Sequence, residues 1–367
     1  MALYISIALF LMFGFIIELK SNRKEATYTT TNSIAKRENN SSRIQKLFFF
    51  IVIFVLWFLT AFRSEKIGSD TIAYIKYFKD FSTNGIFNDS RIETGYQILN
   101  ILVSKISNNP QFFLGFVATI CYVGTGIYIY KYSDNIVFST VLLFPVAYGF
   151  FATGLRQAIA MIICLYAYQA IKNQKNICAI LLVALASTFH TSAWIVLILL
   201  LHKFIPKKPK FVISLTAIFI TLSLTGIMDE IFVLLLGNRY GGYYENEIVT
   251  NGWLGIAYYC VRNFVFYMVV FLSYKNKEQE NSVVLSLFTM LLITISFGFS
   301  ISLFSRATYY FMLMSLVELP NAIYRGTLKN KKLLTFLIGF VMVLYFIVTL
   351  IIRPEWNSLC PYEFYWN

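Results

Sequence analysis

Charged side chains are scarce in this chain: 13% of its 367 residues carry charge, against 58% that are hydrophobic. A soluble domain could not cover that much apolar surface with so few charges. Cysteine is thinly used, and Cys121, Cys164, Cys178 and Cys260 lie in apolar segments with only Cys360 in a polar tail. That pattern excludes a disulfide framework and any metal-ligand spacing. No GxGxxG, Walker, HExxH, CxxC or GxSxG pattern stands where its structural context would require it, so neither nucleotide-driven chemistry nor a cofactor or metal is expected. Short alternating strands are also missing, which excludes a closed β-barrel.

What is there is a succession of apolar runs, each long enough to cross ~30 Å of hydrocarbon. The spans read as 2–17, 47–62, 110–130, 136–152, 155–171, 176–201, 211–227, 252–273, 282–304, 306–323 and 333–352. The fold class is all-α: one polytopic membrane domain over 1–367, with about 11–12 transmembrane or re-entrant helices. The net charge of +13 is spread over short loops between the spans. Such loops face anionic lipid on the cytoplasmic side, so nucleic acid is not an expected partner. The first run lacks a basic n-region and is followed by Lys20, Arg23 and Lys24, as in an uncleaved first span with its N-terminus outside.

Orientation follows from the basic residues. The stretch 18–46 carries seven Lys/Arg and belongs in the cytoplasm. If 176–201 crosses once, the four-lysine loop HKFIPKKPK and the loop YRGTLKNKK fall outside while the acidic GGYYENE falls inside. All three are wrong-signed together, and all three are corrected if 176–201 enters and returns, turning near 189–193. Loops 63–109 and 228–252, with short amphipathic helices, then lie outside, as does the tail 353–367. So do Asp70, Glu93, Arg156, His190 and Arg306.

Arg156 opens a helix in ATGLRQAIAMII, where a cation opposes the macrodipole by ~0.3–1 kcal/mol. Snorkelling to lipid phosphate is the packing explanation. The chemical one is a phosphate or pyrophosphate clamp made by the guanidinium fork and the first-turn amides at 156–158. Arg306, in SRATYYF, repeats the arrangement. His190, in ASTFHTSA, is a packing residue, a binder of sugar or phosphate oxygen, or a proton carrier. His202 sits beside lysines and receives no role. Asp70 and Glu93 each precede a helical run, so each is an N-cap or a carboxylate base. Tyr74, Tyr77, Phe78 and Phe81 form an aromatic face of the kind that lies on a membrane or stacks on sugars. Tyr240, Tyr243 and Tyr244 offer a further stacking surface. Arg262 and Glu318 fall within spans, where they either pair with one another or, for Arg262, point into an anionic cavity.

In order along the chain, GSDTIAYIKYF, ETGYQIL, GLRQAIAMII with ASTFHTSA, SRATYYF and CPYEFYW resemble the EpsG family of Wzy-like polysaccharide polymerases. The resemblance runs from about residue 63 to the C-terminal tail, with Thr94 where the family often has proline. The resemblance implies a bacterial plasma-membrane glycosyltransferase making exopolysaccharide, capsule or O-antigen. Such an enzyme moves a growing undecaprenyl-pyrophosphate-linked glycan onto the terminal sugar of another lipid-linked repeat at the outer face. It also implies membrane lipid, a chain-length regulator and a flippase as partners. By resemblance Arg156, Gln157, His190, Arg306, Asp70 and Glu93 map onto the family's motif positions. The expected catalytic groups are Asp70, Glu93 and His190, and the expected substrate-binding ones Arg156, Gln157, Arg306, Arg262 and Tyr74. A ligase acting on the same lipid donor, and a flippase for it, are the alternative functions.

Overall fold

A computed structural model describes residues 1–20, 42–86, 92–227, 253–275, 277–279, 281–297, 302–356 and 358–366. The loop 228–252, with its three tyrosines, lies outside the described residues, as does 21–41 of the basic stretch. Among the described residues the regular elements are all helices, and the β pairing is the antiparallel bridge between Arg63 and Phe364. Among them, Arg43–Ala61, Pro110–Tyr132, Ile136–Thr153 and Lys331–Ile352 are long and apolar enough to cross a membrane, and shorter apolar helices accompany them. The protein is an all-α polytopic membrane protein.

The chain forms two compact units. The first comprises Met1–Ile162, Leu185–Thr191 and Lys329–Asn367. Its helices are α1 (Ala2–Lys20), α2 (Arg43–Ala61), α3 (Thr71–Asn84), α4 (Thr94–Ser104), α5 (Pro110–Tyr132), α6 (Ile136–Leu143), α7 (Gly149–Thr153), the start of α8 (Leu155–Lys172) and the helix Lys331–Ile352. A π-helical turn at Phe144–Tyr148 joins α6 to α7 and accommodates Pro145, which has no amide to give to the preceding turn. The stretch Ile136–Thr153 forms the centre of this unit: 89% of its apolar window is buried, against 33% for Lys331–Ile352.

One buried carboxylate fastens three helix ends. A capping box opens α2, with Gln45 N donating to Ser42 Oγ and Ser42 N donating to Gln45 Oε1. Gln45 Nε2 then donates to Glu18 Oε2 at 2.8 Å, and Asn135 Nδ2 donates to Glu18 Oε1 at 3.0 Å. Asn135 also caps α6, its Oδ1 accepting the Phe138 amide.

At the other end the C-terminal tail folds back on the segment that follows α2. Tyr365 N donates to Phe62 O at 3.1 Å, Ser64 N to Glu363 O at 3.0 Å, and Gly68 N to Ser358 O at 3.0 Å. The Tyr362 hydroxyl donates to Leu59 O and the Tyr4 hydroxyl to Leu359 O. Phe62, Ser64 and Gly68, which belong to no helix, thus find backbone partners in the tail.

The second unit comprises Ile163–Ala184 and Ser192–Leu328. Its helices Trp253–Ser273, Ser282–Ser296 and Ser302–Arg325 pack on one another, and Pro209–Leu224 packs on Ser282–Ser296. The run 282–304 is therefore not one span, since its helix ends at Ser296 and a new one begins at Ser302. Arg306 consequently lies beyond the first turn of its helix rather than at its start. The run 176–201 is broken too, into an α-helix Asn176–Ser187 and a 3-10 helix Thr191–Leu201. The break falls at 188–190, overlapping the 189–193 stretch where the charge pattern predicts a turn.

Candidate functional site

Glu93 occupies the N-cap position of α4 but makes no side-chain cap hydrogen bond. Its carboxylate is engaged elsewhere. Oε2 accepts from Arg156 Nη1 at 2.5 Å, while Oε1 accepts from Thr191 N at 3.1 Å and Thr191 Oγ1 at 3.4 Å. The Arg156 and Glu93 side chains are only 22% and 17% exposed, so the pair is partly desolvated and stronger than a surface ion pair. Gly95 brings the carboxylate to this place. Its amide donates to Thr188 O at 2.8 Å, and a Cβ on Gly95 would stand 2.3 Å from Thr188 Oγ1. Only glycine lets the first turn of α4 lie so close to the 188–191 break.

Arg156 is the second residue of α8, which starts after Gly154 interrupts the helix with φ −102 and ψ 58. The penalty of a cation at a helix start is offset here by Glu93. The same guanidinium acts electrostatically on the Tyr74 hydroxyl. Burial raises the Tyr74 phenol above its ordinary value, with Arg156 pulling the other way. Tyr74 lies edge-on to Tyr96 at 5.8 Å. Burial raises Tyr96 further, and Tyr74 adds to the rise.

The expected aromatic face of α3 is thereby corrected. Tyr74, Phe78 and Phe81 are 5%, 0% and 2% exposed, and Phe78 stacks on Phe113 at 4.8 Å. These three belong to the core, while Tyr77 is half-buried.

Asp70 stands at the N-cap position of α3 without a side-chain cap bond, so capping does not explain it. It is half-buried, and Ser69 Oγ donates to its Oδ1 at 3.4 Å. Gln157 is buried, 3% exposed. His190 is half-buried, its amide donating to Ala186 O at 3.1 Å, and it immediately precedes the Thr191 amide that meets Glu93. The fold therefore joins Glu93 and Arg156 directly, with Tyr74 acting on the same guanidinium and His190 one residue from Thr191, which meets Glu93.

Arg306 and Arg262 belong to the second unit. Arg306 is exposed on the helix Ser302–Arg325. Arg262 and Glu318 do not pair. Arg262 donates from Nε and Nη2 to Asn263 Oδ1, at 3.0 and 2.9 Å, and lies over the Tyr259 ring. Glu318, 1% exposed, is met by Lys172 Nζ at 2.5 Å.

Sequence reasoning missed Lys172 and Arg63, because a basic residue at the end of an apolar run is the ordinary flanking pattern. Arg63 is wholly buried. Its Nη2 donates to Ala152 O at 3.0 Å and its Nη1 to Thr60 O. Burial pushes this guanidinium down to about 10, which leaves it a cation at neutral pH. Among the described residues no three His, Cys, Asp or Glu side chains converge on a metal-sized site.

A polytopic helical membrane protein with an arginine–carboxylate pair at a helix start is the class these features define. The model of the EpsG family matches residues 46–364, nearly the whole chain, and the protein belongs to that family. No curated protein and no solved structure matches the chain. Membership points to polysaccharide biosynthesis by a glycosyltransferase-like polymerase.

Proposed function

We propose that the protein is a polysaccharide polymerase of the bacterial plasma membrane. It transfers a growing glycan from undecaprenyl pyrophosphate to the terminal sugar of another lipid-linked repeat at the outer face. The observation that carries this reading is Arg156, a guanidinium at a helix start, held by Glu93 and Tyr74 and still partly open to solvent. A diphosphate leaving group departs readily, so catalysis needs charge neutralisation and placement more than covalent help. Arg156 supplies the charge. The Ala158 amide is already bonded to Gly154 O at 2.8 Å, so the first turn of α8 adds at most the amides of Leu155, Arg156 and Gln157.

In the transfer, a sugar hydroxyl oxygen bonds to the anomeric carbon of the donor. The bond from that carbon to the pyrophosphate oxygen breaks, and the leaving diphosphate keeps the electron pair. The hydroxyl proton passes to a base. Glu93 already accepts three donors and orients Arg156, so Asp70, which caps nothing, is the proposed base, with His190 the alternative. Arg306 enters as a substrate contact through the family motif alone, and Arg262 lies outside the motifs that carry the resemblance. The outer-face assignment rests on the charge signs of the loops and on the break at 188–190.

The test is deletion of the gene followed by gel analysis of surface polysaccharide. Collapse of the ladder to single repeats supports a polymerase. Complementation with Arg156→Ala or Asp70→Asn should leave the ladder collapsed. Long polymer made without the gene ends the proposal. Loss of attached repeats with intact chain length points to a ligase, and loss of lipid-linked repeats from the outer leaflet points to a flippase.

A further inference from the structure

The Arg63 guanidinium is buried completely, and its Nε has no hydrogen-bond partner among the described residues. Its two other nitrogens serve backbone carbonyls, Thr60 O and Ala152 O. Keeping a cation in such a place is costly, and an apolar side chain would fill the volume at less expense. What the cation reaches is informative. Helix α7 ends at Thr153 and Gly154 leaves the helical conformation, so the Ala152 carbonyl is among the orphaned acceptors at a helix C-terminus. A positive charge suits that end.

The same carbonyl gathers the start of α3. Thr71 Oγ1, on the first residue of α3, lies 3.4 Å from Ala152 O. Gly68 has φ +90, and a Cβ on it would come within 2.5 Å of that oxygen. Three residues beyond Thr71 is Tyr74, and four beyond Ala152 is Arg156, and these two side chains interact electrostatically. The tail holds the opposite side of the segment, through the Arg63–Phe364 bridge and the amides of Ser64 and Gly68.

We infer that Arg63 is a positioning residue: by holding the Ala152 carbonyl it sets the entry of α8 against the entry of α3, and so fixes the Arg156 guanidinium between Tyr74 and Glu93. The inference rests on the reading of Arg156 as the diphosphate contact, but its primary test does not require activity.

Hydrogen exchange is measured by mass spectrometry on the full chain in lipid nanodiscs, for wild type, Arg63→Gln, Arg63→Lys and Gly68→Ala. Gly68→Ala crowds the same carbonyl without removing the buried cation. Exchange in peptides spanning 150–158 and 66–75 should rise about tenfold in Arg63→Gln and Gly68→Ala, with peptides from 111–130 unchanged. Arg63→Lys, which keeps the charge but not the fork, should fall between. Unchanged exchange at 150–158 in both variants overturns the inference. If Arg63→Gln loosens every peptide, Gly68→Ala decides, a local rise supporting positioning and no rise overturning it. In polymer-forming cells, with yield normalised to folded protein, adding Arg63→Gln to Arg156→Gln should cost nothing further, and an independent loss also overturns it. A gene whose deletion leaves the ladder intact would sink the polymerase reading and leave the exchange result standing.

Discussion

Glu93 and Arg156 stand 63 residues apart in the chain, and their side chains meet at 2.5 Å. The contact joins the start of α4 to the start of α8, and Thr191 closes it from a third segment. Glu93→Gln keeps an acceptor for the Thr191 amide but gives up the charge that fixes Arg156. Polymer yield at equal protein level should fall about tenfold, equivalent to ~1.4 kcal/mol. Arg156→Lys loses the planar fork and should fall about a hundredfold. The double variant should be no worse than Arg156→Lys alone, because the two act as one unit. A wild-type ladder from Arg156→Lys would show that the fork is irrelevant.

Gly95 offers a test whose sign is reversed from the usual. Alanine for glycine in a helix ordinarily gains ~1 kcal/mol. At this position the added methyl would stand 2.3 Å from Thr188 Oγ1 and 2.7 Å from Thr188 O. Gly95→Ala should lower the thermal midpoint of the purified protein and reduce polymer yield. Thr188→Ala should restore part of the loss, since the hydroxyl goes but the carbonyl stays. A Gly95→Ala protein more stable than wild type would refute the close approach.

The Lys172–Glu318 pair lies within the second unit, with Glu318 almost without exposed surface. Lys172→Met strands a buried carboxylate and should cost about 3–5 kcal/mol. Lys172→Met with Glu318→Met removes both charges and should recover most of that. Unfolding in graded denaturant, read by tryptophan fluorescence, distinguishes the cases. Equal loss in the single and double variants would argue against the pair.

His202 supplies the pH dependence. Burial, then Lys207 and Lys203, lower its value below 6.5, and its Nδ1 lies 2.9 Å from Ser282 Oγ. A depressed folded value means that the unfolded chain takes the proton first. The stability that neutral His202 contributes is present above 6.5 and lost as pH falls through the folded value. The thermal midpoint of His202→Gln should therefore drop less than that of wild type between about pH 7.5 and about pH 5.5. Parallel curves would exclude His202 as the titrating group.

Much of the fold was legible because apolar length is a one-dimensional property. The run 47–62 contains most of α2 (Arg43–Ala61), and 110–130 most of α5 (Pro110–Tyr132). An interruption also falls at 188–190, next to the place where the loop charges call for a turn. Partners were harder to read. Arg262 and Glu318 were matched by depth alone, but pairing depends on how helices rotate about their axes, and Lys172 faces Glu318 instead. Asp70 and Glu93 looked like caps because capping is local. Glu93 is taken by a residue 63 positions away, which no local pattern reveals. The aromatic spacing of α3 was read correctly as one face and given the wrong neighbour, since periodicity does not say what covers a face.

The pairing of 62–68 with 358–366 has a bearing on how the protein is made. Leu59 reaches its tail partner Tyr362 only after 303 further residues have left the ribosome. Until then the amides of Ser64 and Gly68 lack the acceptors they have in the finished fold. Membrane insertion of the early helices thus precedes closure of this corner, and a nascent chain stalled before residue 358 would be threaded through the bilayer with the segment before α3 still unclosed.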